Sequence, residues 1–299
     1  MKKYSRYLEA NRRRWDESVS LHVASPEYPV RAFRRGALTI HRLEREEVGD
    51  VRGKSLLHLQ CHFGLDSLSW ARLGARVTGV DFSPEAVKRA RALAAECGIR
   101  AEFVECDVSD LPRRLLPTFD IVYTAKGVLC WLPDVRQWAR VVAGLLRPGG
   151  MFYLLDDHPA ANPFDSRPAR SGAKGWFFEF PYFHRARPLR WESGDTYATR
   201  GAQMKHRLTF EWQHPVGDVL NALIGAGLHV EFVHEFPFCY WRKFPWMRRG
   251  RDGWWRLKRD AGAIPLMWSV RARKNEGQAA ASRARPPCRR KSARHNGCP

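Results

Sequence analysis

Ser55-Leu56-Leu57-His58-Leu59-Gln60-Cys61-His62-Phe63-Gly64 is the stretch on which the fold turns. Its first five residues form a short apolar run that suits a buried strand. Gly64 follows, and Leu65, Leu68 and Leu73 then recur at helical spacing. Arg76 to Asp81 reads as a second strand. Ser83 is a good N-cap and Pro84 fits the first helical position, so a helix is expected to run to about Cys97. Ala101 to Glu105 reads as a third strand and Phe119 to Tyr123 as a fourth. Asp134 to Leu146 reads as a helix that stops at Arg147-Pro148-Gly149-Gly150, and Met151 to Leu155 as a fifth strand. Alternation of this kind predicts an α/β fold, a parallel sheet with helices on both faces. Right-handed crossovers put every loop that follows a strand at the same sheet edge, where a ligand is expected.

Beyond the fifth strand, residues 156–213 read as a long insertion rich in aromatics, among them Trp176, Phe177, Phe178, Phe180, Tyr182, Phe183 and Trp191. Arg207 to Trp212 looks like a strand. His214 to Asp218 opens a helix that runs to Ala226, and Gly227 ends it. His229 to Phe236 is the expected sixth strand and Leu266 to Ala272 the seventh. Ahead of the first strand, residues 1–52 are polar, with helical stretches around Arg6–Trp15 and Gly36–Glu47, and read as a helical cap. The main domain is then 53–272, with its core at 54–155. Residues 275–299 mix Ala, Arg, Pro and Ser without periodicity and read as disordered.

Of the 299 residues, 44% are hydrophobic and 27% charged, an ordinary globular composition. No apolar run approaches the roughly 18–20 residues that span a bilayer. Met1 to Arg14 is basic but lacks the apolar core of a signal peptide. A cytoplasmic protein without membrane attachment is expected. Cys61, Cys97, Cys106, Cys130, Cys239, Cys288 and Cys298 are odd in number and include no C-x-x-C pair, which suggests neither a disulfide framework nor a metal site. The formal charge is +20. A nucleic-acid or anionic partner is one explanation; an arginine-rich composition that serves solubility is the other.

The run Leu56 to Gly64 resembles the first motif of class I S-adenosylmethionine-dependent methyltransferases. Continued through Leu65-Asp66-Ser67-Leu68-Ser69-Trp70, it is similar to a bacterial subgroup that carries the same variant. His58 stands where an acidic residue is common, and Gln60 and His62 where glycines are common; Gly64 is kept. The resemblance implies a Rossmann-like, doubly wound, seven-stranded sheet, mostly parallel with the last strand antiparallel. It implies S-adenosyl-L-methionine as cofactor, with His58, Gln60, Cys61, His62 and Gly64 around its methionine part. Asp81 would hold the ribose, Phe82 would pack near the adenine, and Asp107 and the Val108 amide would meet the adenine. On the residues alone, Asp81 reads equally well as a helix cap and Asp107 as a loop aspartate. The stretch Phe119 to Asp134, which includes Lys126, resembles the fourth motif of small-molecule methyltransferases of the ubiquinone-biosynthesis type and borders cofactor and acceptor. Trp15 and Tyr28 are placed near the cofactor by likeness of the N-terminal segment to the family's cap. A nicotinamide domain would want G-x-G-x-x-G at the first loop instead.

The expected activity is methyl transfer to a small-molecule acceptor. Proximity and orientation supply most of the acceleration in such a reaction, and a base is needed only if the acceptor arrives protonated. The candidate base is His158, followed by His184 and His214. Two other readings stay open. One is an RNA or protein methyltransferase that uses Arg242, Lys243, Arg248, Arg249, Arg251, Arg256, Lys258 and Arg259 among their neighbouring aromatics. The other is a non-catalytic module that binds the cofactor. No Asn-Pro-Pro-Tyr or Asp-Pro-Pro-Tyr string follows the fourth strand, which weighs against methylation of base amino groups.

Overall fold

The computed structural model describes residues 2–113, 118–164, 177–259 and 261–276. Trp176, Cys288, Cys298 and the tail from residue 277 onward lie outside the described residues. The chain begins with α1 (Ser5–Ala24), α2 (Val30–Arg34) and α3 (Arg42–Val48). Strand β1 (Ser55–Leu59) leads to α4 (Leu65–Arg72), β2 (Arg76–Asp81), α5 (Pro84–Glu96), β3 (Glu102–Glu105), β4 (Phe119–Ala125), α6 (Val135–Leu145) and β5 (Leu146–Asp157). The insertion contributes the hairpin β6 (Leu189–Glu192) and β7 (Leu208–Glu211). Then come α7 (Val216–Gly225), β8 (Leu228–Phe236), β9 (Phe238–Cys239), β10 (Met247–Arg249), β11 (Trp255–Leu257) and β12 (Met267–Lys274).

The main sheet has the order β3-β2-β1-β4-β5-β12-β8. β3, β2, β1, β4 and β5 pair in parallel, and β12 lies antiparallel between β5 and β8. This is the expected doubly wound sheet with its last strand reversed. The chain steps outward from β1 to β3 and then returns to β4, so the crevice at a reversal of strand order opens between β1 and β4. β9, β10 and β11 form a separate small sheet. Among the described residues no helix is long and apolar enough to cross a membrane.

Local chemistry explains most of these elements. The Ser83 side chain accepts the Ala86 amide 3.1 Å away and Pro84 starts α5. The Asp134 carboxylate accepts the amides of Arg136 and Gln137, and α6 then buries Val135, Trp138, Ala139, Val142 and Leu145 against the sheet at helical spacing. Gly79 in β2 and Gly64 ahead of α4 both lie under the Phe103 ring. A Cβ there would sit 2.7 and 2.8 Å from it, so the ring fits only while these two positions carry no side chain.

Three sequence readings need correction. α1 runs nine residues past Trp15, to Ala24, because its buried face is polar: Asn11, Arg14, Ser18 and His22 face inward with Val19, and no apolar period announces it. The stretch Gly36–Glu47 is not one helix. Gly36 has φ 105°, and α3 begins only after His41, whose imidazole accepts the Leu43 amide while Glu44 takes the His41 amide. Finally, Arg147-Pro148-Gly149-Gly150 lies within the first residues of β5, where the pairing with β4 shifts register between Phe119 and Ile121.

The cap is joined to the sheet by buried polar contacts. Glu44, with no exposed surface, accepts the Tyr123 hydroxyl and lies 3.2 Å from Lys126 Nζ. Lys126 Nζ also donates to Asp66 at 2.7 Å, and the Thr39 hydroxyl donates to the same carboxylate. The Tyr153 hydroxyl donates to Glu47 at 2.7 Å, and His234 lies 2.6 Å from Glu47. Removal of one partner leaves the others charged and dry. Glu44→Ala is expected to lower stability by about 3–5 kcal/mol in urea unfolding; a loss below about 1 kcal/mol, the scale of an exposed pair, would show that the cap is not held this way.

Candidate functional site

The loop between β1 and α4 is built on alternating left-handed residues. Gln60 has φ 56°, His62 has φ 49° and Gly64 has φ 80°. Each non-glycine residue in that region costs roughly 1–2 kcal/mol. Asp81 at the tip of β2 holds the loop: its Oδ2 accepts the His62 amide at 2.8 Å and its Oδ1 the Ser83 amide at 3.0 Å. The two non-glycine side chains add anchors of their own. Gln60 Nε2 donates to the Val128 carbonyl at 3.0 Å, and His62 Nε2 lies 3.0 Å from His22 Nδ1. The backbone shape that glycines make easy is thus present with larger residues in their place.

A cavity of about 1490 Å³ opens at this edge. Trp15, Tyr28, His58, Gln60, Cys61, His62, Gly64, Asp81, Phe82, Asp107, Val108 and Lys126 all line it. Asp81 is 7% exposed, and burial pushes its carboxyl up to about 6 against the amides that lower it. Asp107 caps the short turn that follows β3, where its Oδ1 accepts the Ser109 amide at 2.8 Å. His58 Nδ1 lies 2.7 Å from Ser67 Oγ, and burial holds the ring down to about 4, so it is neutral. Burial raises the Cys61 thiol and lowers the His62 ring, which leaves both uncharged. Lys126 lines the cavity too, but its ammonium points into Asp66 and Glu44; although burial opposes the charge, those carboxylates raise it above the ordinary lysine range. Trp15 packs edge-on to His22, His62 and Trp131, and Tyr28 stacks on His22 with its hydroxyl on that of Tyr197.

His158 is the clear correction. It does not line the cavity. Its Nδ1 accepts the Ala160 amide at 3.1 Å, capping the turn Pro159–Ala161, and its Nε2 lies 2.7 Å from Glu235 on β8. With its two ring nitrogens engaged by its own turn and by β8, the side chain is turned away from the cavity. His184 is likewise outside the cavity lining, 3.1 Å from the Gln213 carbonyl. His214 does line it, but lies 2.7 Å from the Leu132 carbonyl and is held by burial at about 4.

The far end of the cavity holds carboxylates that sequence reading did not single out. Asp156 collects the amides of Gly127 at 2.6 Å and Leu129 and Asp157 at 2.9 Å, and burial pushes it up to about 6. Asp157 accepts the Trp241 indole N–H at 2.9 Å, and Lys243 donates to Asn162 at 2.7 Å. Glu211 stands among them, pushed up to about 7 by burial despite nearby Lys243. Both neighbours of Glu211 are pinned. Asn11 exchanges two hydrogen bonds of 2.8 Å with the Phe210 backbone, and the Trp212 amide donates to the Cys130 carbonyl at 2.8 Å. A signal for it existed: Thr209 and Glu211 alternate onto one strand face, and both line the cavity.

The loop geometry makes a sharp contrast between two positions. Gln60→Gly should change urea-unfolding stability by under about 1 kcal/mol, since relief of left-handed strain offsets the lost hydrogen bond. Gly64→Ala should cost about 2–4 kcal/mol from strain and collision with Phe103; equal effects at both positions would contradict this account.

Residues 57–152 match a family model described as a methyltransferase domain. Ubiquinone biosynthesis O-methyltransferases of Xanthomonas euvesicatoria pv. vesicatoria and Xanthomonas axonopodis pv. citri are each 40% identical to this chain, over 114 and 111 residues. These stretches are 38% and 36% of this chain, and the chain spans about half the length of these curated relatives, 47% and 46%. Among solved structures, an S-adenosylmethionine dependent methyltransferase from Mesorhizobium loti aligns with a TM-score of 0.52 at 23% identity, over 81% of this chain and 100% of that one. DhpI in its complex with SAH aligns with a TM-score of 0.51 at 17% identity, over 90% of this chain and 97% of that one. At such identities the structural likeness speaks for the fold, and the sequence match speaks for the core. The segment from the first strand to the fifth therefore matches a methyltransferase domain, and the chain shares the fold of S-adenosylmethionine-dependent methyltransferases.

Proposed function

We propose that this chain binds S-adenosylmethionine and transfers its methyl group to a small-molecule acceptor. The observation that carries the reading is a single cavity that runs from Asp81 and Asp107 at the strand tips to Glu211 and Lys243 under the hairpin. Its volume of about 1490 Å³ exceeds the roughly 300–1,000 Å³ of a typical one-ligand pocket, so two ligands fit end to end. The residues suit the cofactor. Gln60 Oε1 and His22 Nε2 are buried without a protein partner, as groups reserved for a polar ligand are. Asp81 accepts ribose hydroxyls, Asp107 the adenine amino group, and Val108 presents its amide to the ring. Phe82 packs beside the adenine, with Cys61 and His58 as uncharged wall. The bound cofactor supplies an electrophilic methyl group on a sulfonium. Among the residues at the acceptor end, Glu211 is the group suited to take a proton, because its carboxyl titrates near working pH and both flanking residues are pinned.

A small acceptor is favoured over RNA because the aromatic rings between the arginines face inward. Trp254 is 5% exposed and packs on His41 and Phe238, Trp255 belongs to the small sheet, and Arg256 is paired with Asp252. Stacking platforms for bases need open faces.

Calorimetric titration with S-adenosylmethionine tests the cofactor, and radiolabelled methyl transfer to the small-molecule and RNA fractions of a bacterial extract tests the acceptor. Label in RNA alone would overturn the small-molecule reading, and no binding at high micromolar cofactor would overturn both enzyme readings. Asp81→Ala should weaken cofactor binding by about 1–3 kcal/mol. Since a raised carboxyl accepts hydrogen bonds best when ionised, wild-type affinity should fall as pH drops through about 6, and Asp81→Asn should flatten that fall. Glu211→Gln should lower the transfer rate by about 100-fold or more. The wild-type rate should rise with pH through about 7, because the base acts only when deprotonated; a variant with the same rate and the same rise would exclude Glu211.

A further inference from the structure

We propose that α1 reads the carboxylate of the cofactor's amino-acid end through Arg14 and His22, a task that the glycine-poor loop shares with the cap. This rests on the cofactor reading above. Arg14, Ser18 and His22 recur every four residues and so share one helix face. They are 8%, 3% and 1% exposed, and all three line the cavity. A buried polar stripe of this kind is costly unless something satisfies it.

Arg14 is satisfied only in part. Its guanidinium donates to the carbonyls of Ser193 at 2.9 Å and His206 at 3.0 Å, and to that of Asp195. These bonds fix its plane but compensate its charge only in part: among the described residues it makes no ion pair, the carboxylates of Glu17 and Asp195 act on it only at longer range, and burial lowers its pKa. A buried cation held by neutral carbonyls at a cavity wall is a site for an anion. Ser18 donates its hydroxyl to the Arg14 carbonyl at 2.8 Å, which leaves a small residue and open space between the other two.

His22 supplies the second donor. Its Nδ1 lies 3.0 Å from His62 Nε2, and its own Nε2 is buried without a partner. The rings of Tyr28, Trp15 and Tyr197 fix its orientation. Burial holds His22 down to about 4 and His62 well below the usual histidine range, so both are neutral. In this proposal the donor of the pair is His62 Nε2, which puts the single proton of His22 on its Nε2, facing the ligand. His62 therefore serves two partners: its amide binds Asp81, and its ring sets the tautomer of His22. That gives the residue in a glycine's place a purpose, because glycine offers no ring.

The test is calorimetric titration of the full chain with S-adenosylhomocysteine and with 5′-methylthioadenosine, which has the same nucleoside and no amino-acid end. The wild type is expected to prefer S-adenosylhomocysteine. His22→Phe, which keeps the ring packing, should lower that affinity about 10- to 100-fold and leave 5′-methylthioadenosine unchanged. Arg14→Met should do the same; if it fails to fold, His22→Phe decides alone. Equal losses for both ligands, or no loss for S-adenosylhomocysteine, would overturn the proposal while the cofactor reading stands. A wild type that binds neither ligand overturns both.

Discussion

The bond from the His62 amide to the Asp81 carboxylate is the contact around which the site is organised. It ties the end of β1 to the end of β2 and keeps the intervening loop in a left-handed course that two of its residues would otherwise resist. It also keeps Asp81 buried at the cavity wall, with each carboxylate oxygen held by a backbone amide. From His62 the connection continues through an imidazole pair to α1, and from Gln60 to the loop after β4. One carboxylate thus sets the position of the floor, one wall and the lid of the same space.

A second buried system does the corresponding work on the cap. Lys126 adopts φ 68° at the end of β4 and places its ammonium between Asp66 of α4 and Glu44 of α3. Together with the hydroxyls of Tyr123 and Tyr153, these charges dock a short helical segment that has little apolar surface to bury. Ionic docking demands well-defined geometry, because a misaligned buried pair is worse than none. The cap accordingly meets the cavity in one arrangement, and α1 presents Arg14 and His22 from a fixed position.

Much of the fold was legible because each core element carries a local signal strong enough to stand alone. β1, β2 and β4 are short apolar runs, α5 has Ser83-Pro84 at its start, and α6 has Asp134 followed by an apolar period. Most of the residues expected around the cofactor line one cavity because they sit at strand tips, which a doubly wound sheet brings to one edge, whereas Trp15 and Tyr28 reach it from the N-terminal segment. α1 was underestimated because helix recognition relies on apolar periodicity, and its inward face reads Asn11, Arg14, Ser18, His22. His158 misled because adjacency to a strand tip says nothing of where a side chain turns, and this one turns to cap its own backbone. Glu211 escaped notice because it lies in a distant hairpin, brought to the cavity by Asn11 and Cys130 across long stretches of chain.

The order of strands and helices, the glycine ahead of α4 and the carboxylates at the tips of β2 and β3 follow from residue types at short range, where propensity, capping and steric fit act within a few positions. The burial of Asp81 and Asp156, the raised carboxyl of Glu211, the neutrality of the paired imidazoles and the meeting of α1 with the insertion depend on which segments come to lie against one another. Desolvation is a property of surroundings assembled from the whole chain, so the charge states found in this cavity exist only once it has folded.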